Sequence, residues 1–136
     1  MEFNTIIKEA LRMRGAAYAP YSKFNVGAAL LTKDGRIYSG CNIENAAYTP
    51  CNCAERTAFF KAVSEGEREF SAIAIAGGAK GAKELPVCPP CGVCRQVMME
   101  FCDRETFQIV LAQSETTYQV YTLQELLPLG FGPENL

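Results

Sequence analysis

The chain has 136 residues, 13 basic against 15 acidic, a net charge of −2 and a 49% apolar share. That composition belongs to an ordinary globular domain, long enough to bury a core without disulfide staples, and it offers no excess of cations for a nucleic-acid backbone. Seven cysteines and no histidine confine any metal site to thiolate and carboxylate ligands, and leave no imidazole for proton transfer.

From Phe3 to Tyr18 the residues Phe3, Ile7, Ala10, Leu11, Ala17 and Tyr18 recur at helical spacing, and Pro20 is expected to close that helix. This opening stretch holds no continuous apolar core, and no run in the chain has membrane-spanning length. The expected setting is therefore cytoplasmic, without a membrane, and there cysteines stay as thiols or metal ligands. Phe24–Leu31 and Ile37–Cys41 flank Asp34-Gly35 and read as a β-hairpin. Asn42 to Pro50 has no period and reads as a loop.

Asn52 is placed to cap a helix from Cys53 to about Ser64, with Gly66 past its end. Phe70–Ala76, bounded by Gly77-Gly78, suits a buried strand, and Ala79 to Pro90 a loop. A further helix is expected from Cys91 to Cys102, then strands at Phe107–Leu111 and Tyr118–Tyr121. The link between these two strands is too short for a crossover, which makes them antiparallel. Thr122 and Glu125 form a capping box for a last short helix, ended by Pro128. The order α, β-hairpin, α, β, α, β, β, α predicts one α/β domain over residues 1–136. Its expected form is a three-layer α/β/α sandwich around a mixed five-stranded sheet.

The chemistry concentrates in Cys53-Ala54-Glu55-Arg56 and Pro90-Cys91-Gly92-Val93-Cys94. Both stretches fall at helix starts, where open amide groups and the helix dipole favour thiolates. Cys91 and Cys94, three apart, share a face. Three sulfurs aimed at one zinc leave the fourth tetrahedral position free for water, the mark of a catalytic rather than a structural site. Arg56 is placed to offset the charge of the thiolates. Glu55 is the acid–base group within the motif, and zinc deaminases use a non-ligand glutamate in that way.

Plainer readings compete. Glu55 lies three residues after Asn52, which is also a capping-box spacing; beside Cys53, the catalytic reading is preferred. Cys91-Gly92-Val93-Cys94 has the spacing of a dithiol pair, yet no buried strand runs straight into it. Cys88-Pro89-Pro90-Cys91 is a second such pair. Its prolines hold Cys88 in extended chain away from the helix start, so Cys91 and Cys94 are taken as the ligands. Cys41, Cys51, Cys88 and Cys102 read as ordinary thiols.

Five blocks in this order resemble the small zinc-dependent cytidine deaminases of nucleoside salvage, over essentially the whole chain. They are Tyr18-Ala19-Pro20-Tyr21-Ser22-Lys23-Phe24, Gly27-Ala28-Ala29-Leu30, the stretch from Gly40 to Tyr48, Cys53-Ala54-Glu55-Arg56-Thr57-Ala58, and the stretch from Pro90 to Gln96. The resemblance implies one zinc per subunit and a nucleoside substrate. Asn42 and Glu44 would bond the ribose hydroxyls, Phe24 would pack on the nucleoside, and Ala54 and Glu55 would read the base. It also implies a homotetramer, with Ala46, Tyr48 and Phe131 contributed across subunit contacts. The family commonly carries serine-proline where this chain has Pro89-Pro90, and Cys88 is a further departure.

The reaction so implied is hydrolytic deamination of cytidine and 2′-deoxycytidine in pyrimidine salvage. Its near rival is a blasticidin S-type nucleoside antibiotic deaminase, disfavoured by the Asn42–Ala46 stretch. A structural zinc module and a dithiol oxidoreductase are the alternatives from other classes.

Overall fold

A computed structural model of the chain describes residues 2–136. Helix α1 spans Asn4–Met13, strand β1 Phe24–Thr32, strand β2 Ile37–Cys41 and helix α2 Ala54–Ser64. They are followed by β3 (Phe70–Ala79), α3 (Gly92–Phe101), β4 (Gln108–Ala112), β5 (Tyr118–Thr122) and the short α4 (Leu123–Leu126). The five strands form one sheet in the order β2-β1-β3-β4-β5. Every neighbouring pair is antiparallel except β3 and β4. That parallel pair needs a crossover, which α3 supplies. The mixed five-stranded sheet and the antiparallel β4–β5 pair are as expected.

The central strand explains the layering. Ile73 and Ile75 of β3 belong to the apolar cluster with Phe59 of α2 and Met98 of α3. The alternate residues Ala72, Ala74 and Ala76 face Ile6, Ile7 and Ala10 of α1. Successive side chains of a strand point to opposite faces, so β3 is buried on both sides, with small residues where α1 lies close. The residues of α2 that reach the core, Ala54, Glu55, Ala58, Phe59 and Ala62, lie on one stripe. No helix among the described residues is long and apolar enough to cross a membrane.

Three boundaries differ from expectation. Helix α1 stops at Met13 and is followed by a 3₁₀ turn over Arg14–Ala16, so Pro20 does not end it. The cause is tertiary: Asn25 donates its side-chain amide to the Arg14 carbonyl, while the Arg14 guanidinium reaches the carbonyls of Asn25, Gly78 and Ala79. Tyr18, counted in the helical stripe, pairs instead with Ile43 in a bridge. Strand β3 runs on through Gly77 and Gly78 to Ala79, because its pairing with β1 continues as far as Phe24. Asn52 does not cap α2. Its side chain donates to Thr57 Oγ1, and Cys53 occupies the cap position without a side-chain capping bond.

One glycine sets how close α2 comes to the sheet. A Cβ on Gly40 of β2 would collide with the Ala54 carbonyl and would lie 2.7 Å from the Ala58 amide nitrogen. The first turn of α2 therefore rests directly on β2.

Candidate metal centre and active site

Cys53 caps α2 and Cys91 caps α3, both with extended backbone (φ −75°, ψ 158° and φ −68°, ψ 166°), and Cys94 lies in the first turn of α3. The cysteines expected as first helical residues thus stand one place earlier, at the cap positions, and neither makes a side-chain capping bond. The three sulfurs lie within 4.8 Å of one another, and those of Cys53 and Cys91 are 3.7 Å apart. Tetrahedral zinc with bonds of about 2.3 Å requires sulfurs about 3.8 Å apart. A disulfide would require about 2.05 Å, so the Cys53 and Cys91 sulfurs are not bonded to each other, and their spacing is that of two ligands on one zinc.

The charges around the cluster agree with that reading. Cys94 and Arg56 bond the Cys53 sulfur and hold its thiol down at about 5, against the opposing effect of burial. Cys94 is shifted upward by that shared bond and by its burial. One negative charge is therefore already settled among three sulfurs, and a divalent cation would draw the remaining protons off. Arg56 Nη2 donates to Cys53 Sγ at 3.3 Å. Burial opposes the guanidinium charge, but the bonds to the Cys53 and Cys94 sulfurs outweigh it and raise its pKa. Its Nε is buried without a partner among the described residues. The donor set, its spacing and the adjacent cation all fit zinc.

Beside the sulfurs is a cavity of about 160 Å³, lined by Val26, Asn42, Cys53, Ala54, Glu55, Cys88, Pro89 and Cys91. Glu55, one residue into α2, is 4% exposed, and only Thr32 joins it as a buried polar or charged side chain among the described residues. Burial pushes its carboxyl up to about 7, with the Cys53 charge adding to the effect and Arg56 opposing it. No capping box holds Glu55 at the start of α2, so the plainer reading of its spacing lacks its hydrogen bond. A carboxyl that gains and loses its proton near neutral pH is suited to general acid–base work.

The remaining expected residues divide into two groups. Asn42 lines the cavity and is tied to β1, accepting from the Val26 amide at 2.8 Å and donating to the Phe24 carbonyl at 2.8 Å. Phe24 and Glu44 are not in the cavity lining: Phe24 meets Asn42 through its carbonyl, and the Glu44 carboxylate accepts from the amides of Tyr21 and Ser22. Ala46 and Tyr48 lie on the exposed loop before α2, with Tyr48 74% exposed at φ 65°. Phe131 is 58% exposed and its carbonyl accepts from Gln96 of α3. Ala46, Tyr48 and Phe131 do not line the cavity of their own chain.

Val26, Cys88 and Pro89 line the cavity without having been picked out as site residues. Val26 had a signal: two places after Phe24 on a strand, it points the same way. Cys88 had none, because its sulfur packs into a socket at Gly77, where a Cβ would sit 2.7 Å away. Burial pushes the Cys88 thiol up to about 11, helped by the charges of Glu55 and Cys53. It stays outside the cluster of three.

A sandwich whose helix starts gather three cysteine sulfurs beside a buried glutamate has the architecture of the zinc-dependent deaminases. The family model described as the cytidine and deoxycytidylate deaminase zinc-binding region matches residues 2–110, and the chain belongs to that family. It is 50% identical to a cytidine deaminase of Sporosarcina psychrophila over 136 residues, which cover 100% of this chain and 96% of that one. It is 51% identical to a cytidine deaminase of Halalkalibacterium halodurans, with 100% and 98% covered. Among solved structures, the cytidine deaminase of Burkholderia pseudomallei superposes with a TM-score of 0.85 at 47% identity, covering 96% of this chain and all of that one. The cytidine deaminase of Mycobacterium tuberculosis gives 0.79 at 34%, covering 97% and 98%.

Proposed function

We propose that the whole chain forms one deaminase domain that hydrolyses cytidine and 2′-deoxycytidine to uridine and 2′-deoxyuridine, releasing ammonia. The observation that carries this reading is the cluster of Cys53, Cys91 and Cys94, of which Cys53 and Cys91 share one small cavity with Glu55. Full-length relatives named cytidine deaminase support the choice of nucleoside.

Cys53, Cys91 and Cys94 would hold zinc, which when bound supplies a Lewis acid that makes water nucleophilic at neutral pH. Glu55 takes a proton from the attacking water and delivers it to N3 of the pyrimidine ring; it then takes the proton of the hydroxyl now on C4 and passes it to the amino group, which leaves as ammonia while the carbonyl forms. Its carboxyl, held near 7 by burial, exchanges protons in both directions. The Ala54 backbone reads the amino group, Asn42 and Glu44 bond the sugar, and Phe24 packs on it. Arg56 draws charge from the Cys53 thiolate.

Exposed Tyr48 and Phe131 suit a homotetramer in which Ala46, Tyr48 and Phe131 complete a neighbouring chain's site, Phe131 against the ring. The setting is cytoplasmic pyrimidine salvage. A blasticidin S-type substrate is the second reading, and the Asn42–Ala46 stretch, with Asn42 and Glu44 as a pair for the ribose hydroxyls, argues for the plain nucleoside over it.

The test is zinc content per chain together with ultraviolet loss of cytidine, deoxycytidine and blasticidin S. Wild type should carry about one zinc and consume the first two. Glu55→Gln should keep its metal and lose turnover. A zinc-replete wild type that consumes neither cytidine nor deoxycytidine would sink the proposal.

A further inference from the structure

Ser22 is the hub of a hydrogen-bonded clamp that joins the three residues meant for the sugar side of the nucleoside. We infer that its hydroxyl is a positioning residue for ribose recognition, acting through Glu44. This inference rests on the nucleoside reading above.

The segment from Tyr18 to Phe24 is zipped onto the segment from Asn42 to Glu44. The Tyr18 amide donates to the Asn42 carbonyl at 2.9 Å, and the Glu44 amide donates to the Tyr18 carbonyl at 2.8 Å. The chain then folds around the Glu44 carboxylate. Glu44 Oε1 accepts from the amides of Tyr21 and Ser22 at 3.0 and 3.1 Å, and Oε2 accepts from the Ser22 hydroxyl. Lys23 takes the left-handed conformation (φ 58°) that lets the chain wrap in this way.

The Ser22 hydroxyl has a fixed direction. Its oxygen accepts from the Phe24 amide at 3.1 Å, so its single proton is left to point at Glu44 Oε2. The Phe24 carbonyl in turn accepts from the Asn42 side chain at 2.8 Å. Glu44, Ser22, Phe24 and Asn42 thus form one continuous chain of hydrogen bonds. Oε1 has both lone pairs occupied, whereas Oε2 keeps one free. Ser22 fills one side of Oε2 and so determines where the free lone pair faces a sugar hydroxyl. The two backbone amides hold Oε1 whatever the side chain at position 22. Replacing Ser22 therefore removes the orientation of Oε2 and leaves the loop's backbone bonds in place.

The experiment is steady-state kinetics of Ser22→Ala and Ser22→Thr on the zinc-loaded full chain, with cytidine and with 2′,3′-dideoxycytidine. Loss of one hydrogen bond to a charged group should raise the KM of Ser22→Ala for cytidine about tenfold, with kcat held. Ser22→Thr, which keeps the hydroxyl, should behave as wild type. On 2′,3′-dideoxycytidine, which offers no sugar hydroxyl at those positions, wild type and Ser22→Ala should have equal kcat/KM. An unchanged KM for cytidine overturns the inference, and so does a loss of the same size on both substrates, since a general structural effect would not distinguish them. Wild type inactive on both nucleosides would instead overturn the proposed function, a different result from an active wild type matched by Ser22→Ala.

Discussion

Arg56 donates one guanidinium nitrogen to the Cys53 sulfur at 3.3 Å and leaves its Nε buried without a partner among the described residues. The cation is therefore held for its effect on the thiolates, at the expense of its own hydrogen bonding. Arg56→Gln should lower kcat for cytidine about tenfold, since charge-assisted bonds of this kind contribute on the order of a kcal/mol or more. In metal-free protein the same change should move the alkylation pH profile of the cluster upward by about one unit. Arg56→Lys should not restore either property, because a point charge lacks the guanidinium fork. Unaltered turnover together with an unaltered thiol profile would refute this role.

Among the described residues, Glu55 is the only carboxylate on the cavity. Removing a positioned general acid–base group typically costs about 10²- to 10⁴-fold in rate, and Glu55→Gln should fall in that range while binding zinc as wild type does. Isothermal metal titration and single-turnover assays separate the two properties. A variant that loses both would show that Glu55 maintains the cluster instead.

Gly77 and Cys88 make a packing prediction. A Cβ at Gly77 would lie 2.7 Å from Cys88 Sγ and 3.1 Å from Val26 Cγ2. Gly77→Ala should destabilise the fold by about 1–3 kcal/mol through overpacking and displace the Pro89-Pro90 segment leading to Cys91. Adding Cys88→Ala removes the sulfur and should recover most of the loss. Chemical denaturation of the two single variants and the double variant gives the coupling directly; additive effects would show that the socket does not exist.

Glu9 links α1 to β2 by accepting from Arg12 at 2.8 and 2.6 Å and from the Ser39 hydroxyl. The bond from Arg12 is the main cause, with Ser39 adding to it and burial opposing, and the carboxyl drops from 4.5 to about 2. Because the folded-state value is the lower one, this stabilisation is complete above the unfolded value and is lost as pH falls from there through about 2. Glu9→Gln should cost about 1 kcal/mol at pH 7, discounted for the exposed Arg12 partner. The difference from wild type should shrink below pH 4 in urea titrations. A gap independent of pH would assign the effect to packing.

The chemistry was legible where it depends on local geometry. Cys91 and Cys94 are three apart, and both cysteine stretches lie at helix starts, so spacing alone aimed the sulfurs of each stretch. Ser22 and Cys88 were not legible in that way. Ser22 acquires its partner from Glu44, 22 residues away, and Cys88 finds its socket at Gly77 through the packing of the loop against β3. The end of α1 was misread for the same reason: Asn25, 11 residues on, completes the bonding of the Arg14 carbonyl.

By itself, the amino-acid sequence determined that any metal here must be bound by cysteine, since no histidine is present, and that the strands and helices alternate in an α/β order. Those properties follow from composition and short periodicity, which act over a few residues. Only the tertiary structure decided that Cys53 would meet Cys91 across 38 residues at 3.7 Å, and that Glu55 would be buried deeply enough to hold its proton near neutral pH. Both depend on α2 and α3 packing on the same face of the sheet, where sheet register, the close approach at Gly40 and the exclusion of water act together.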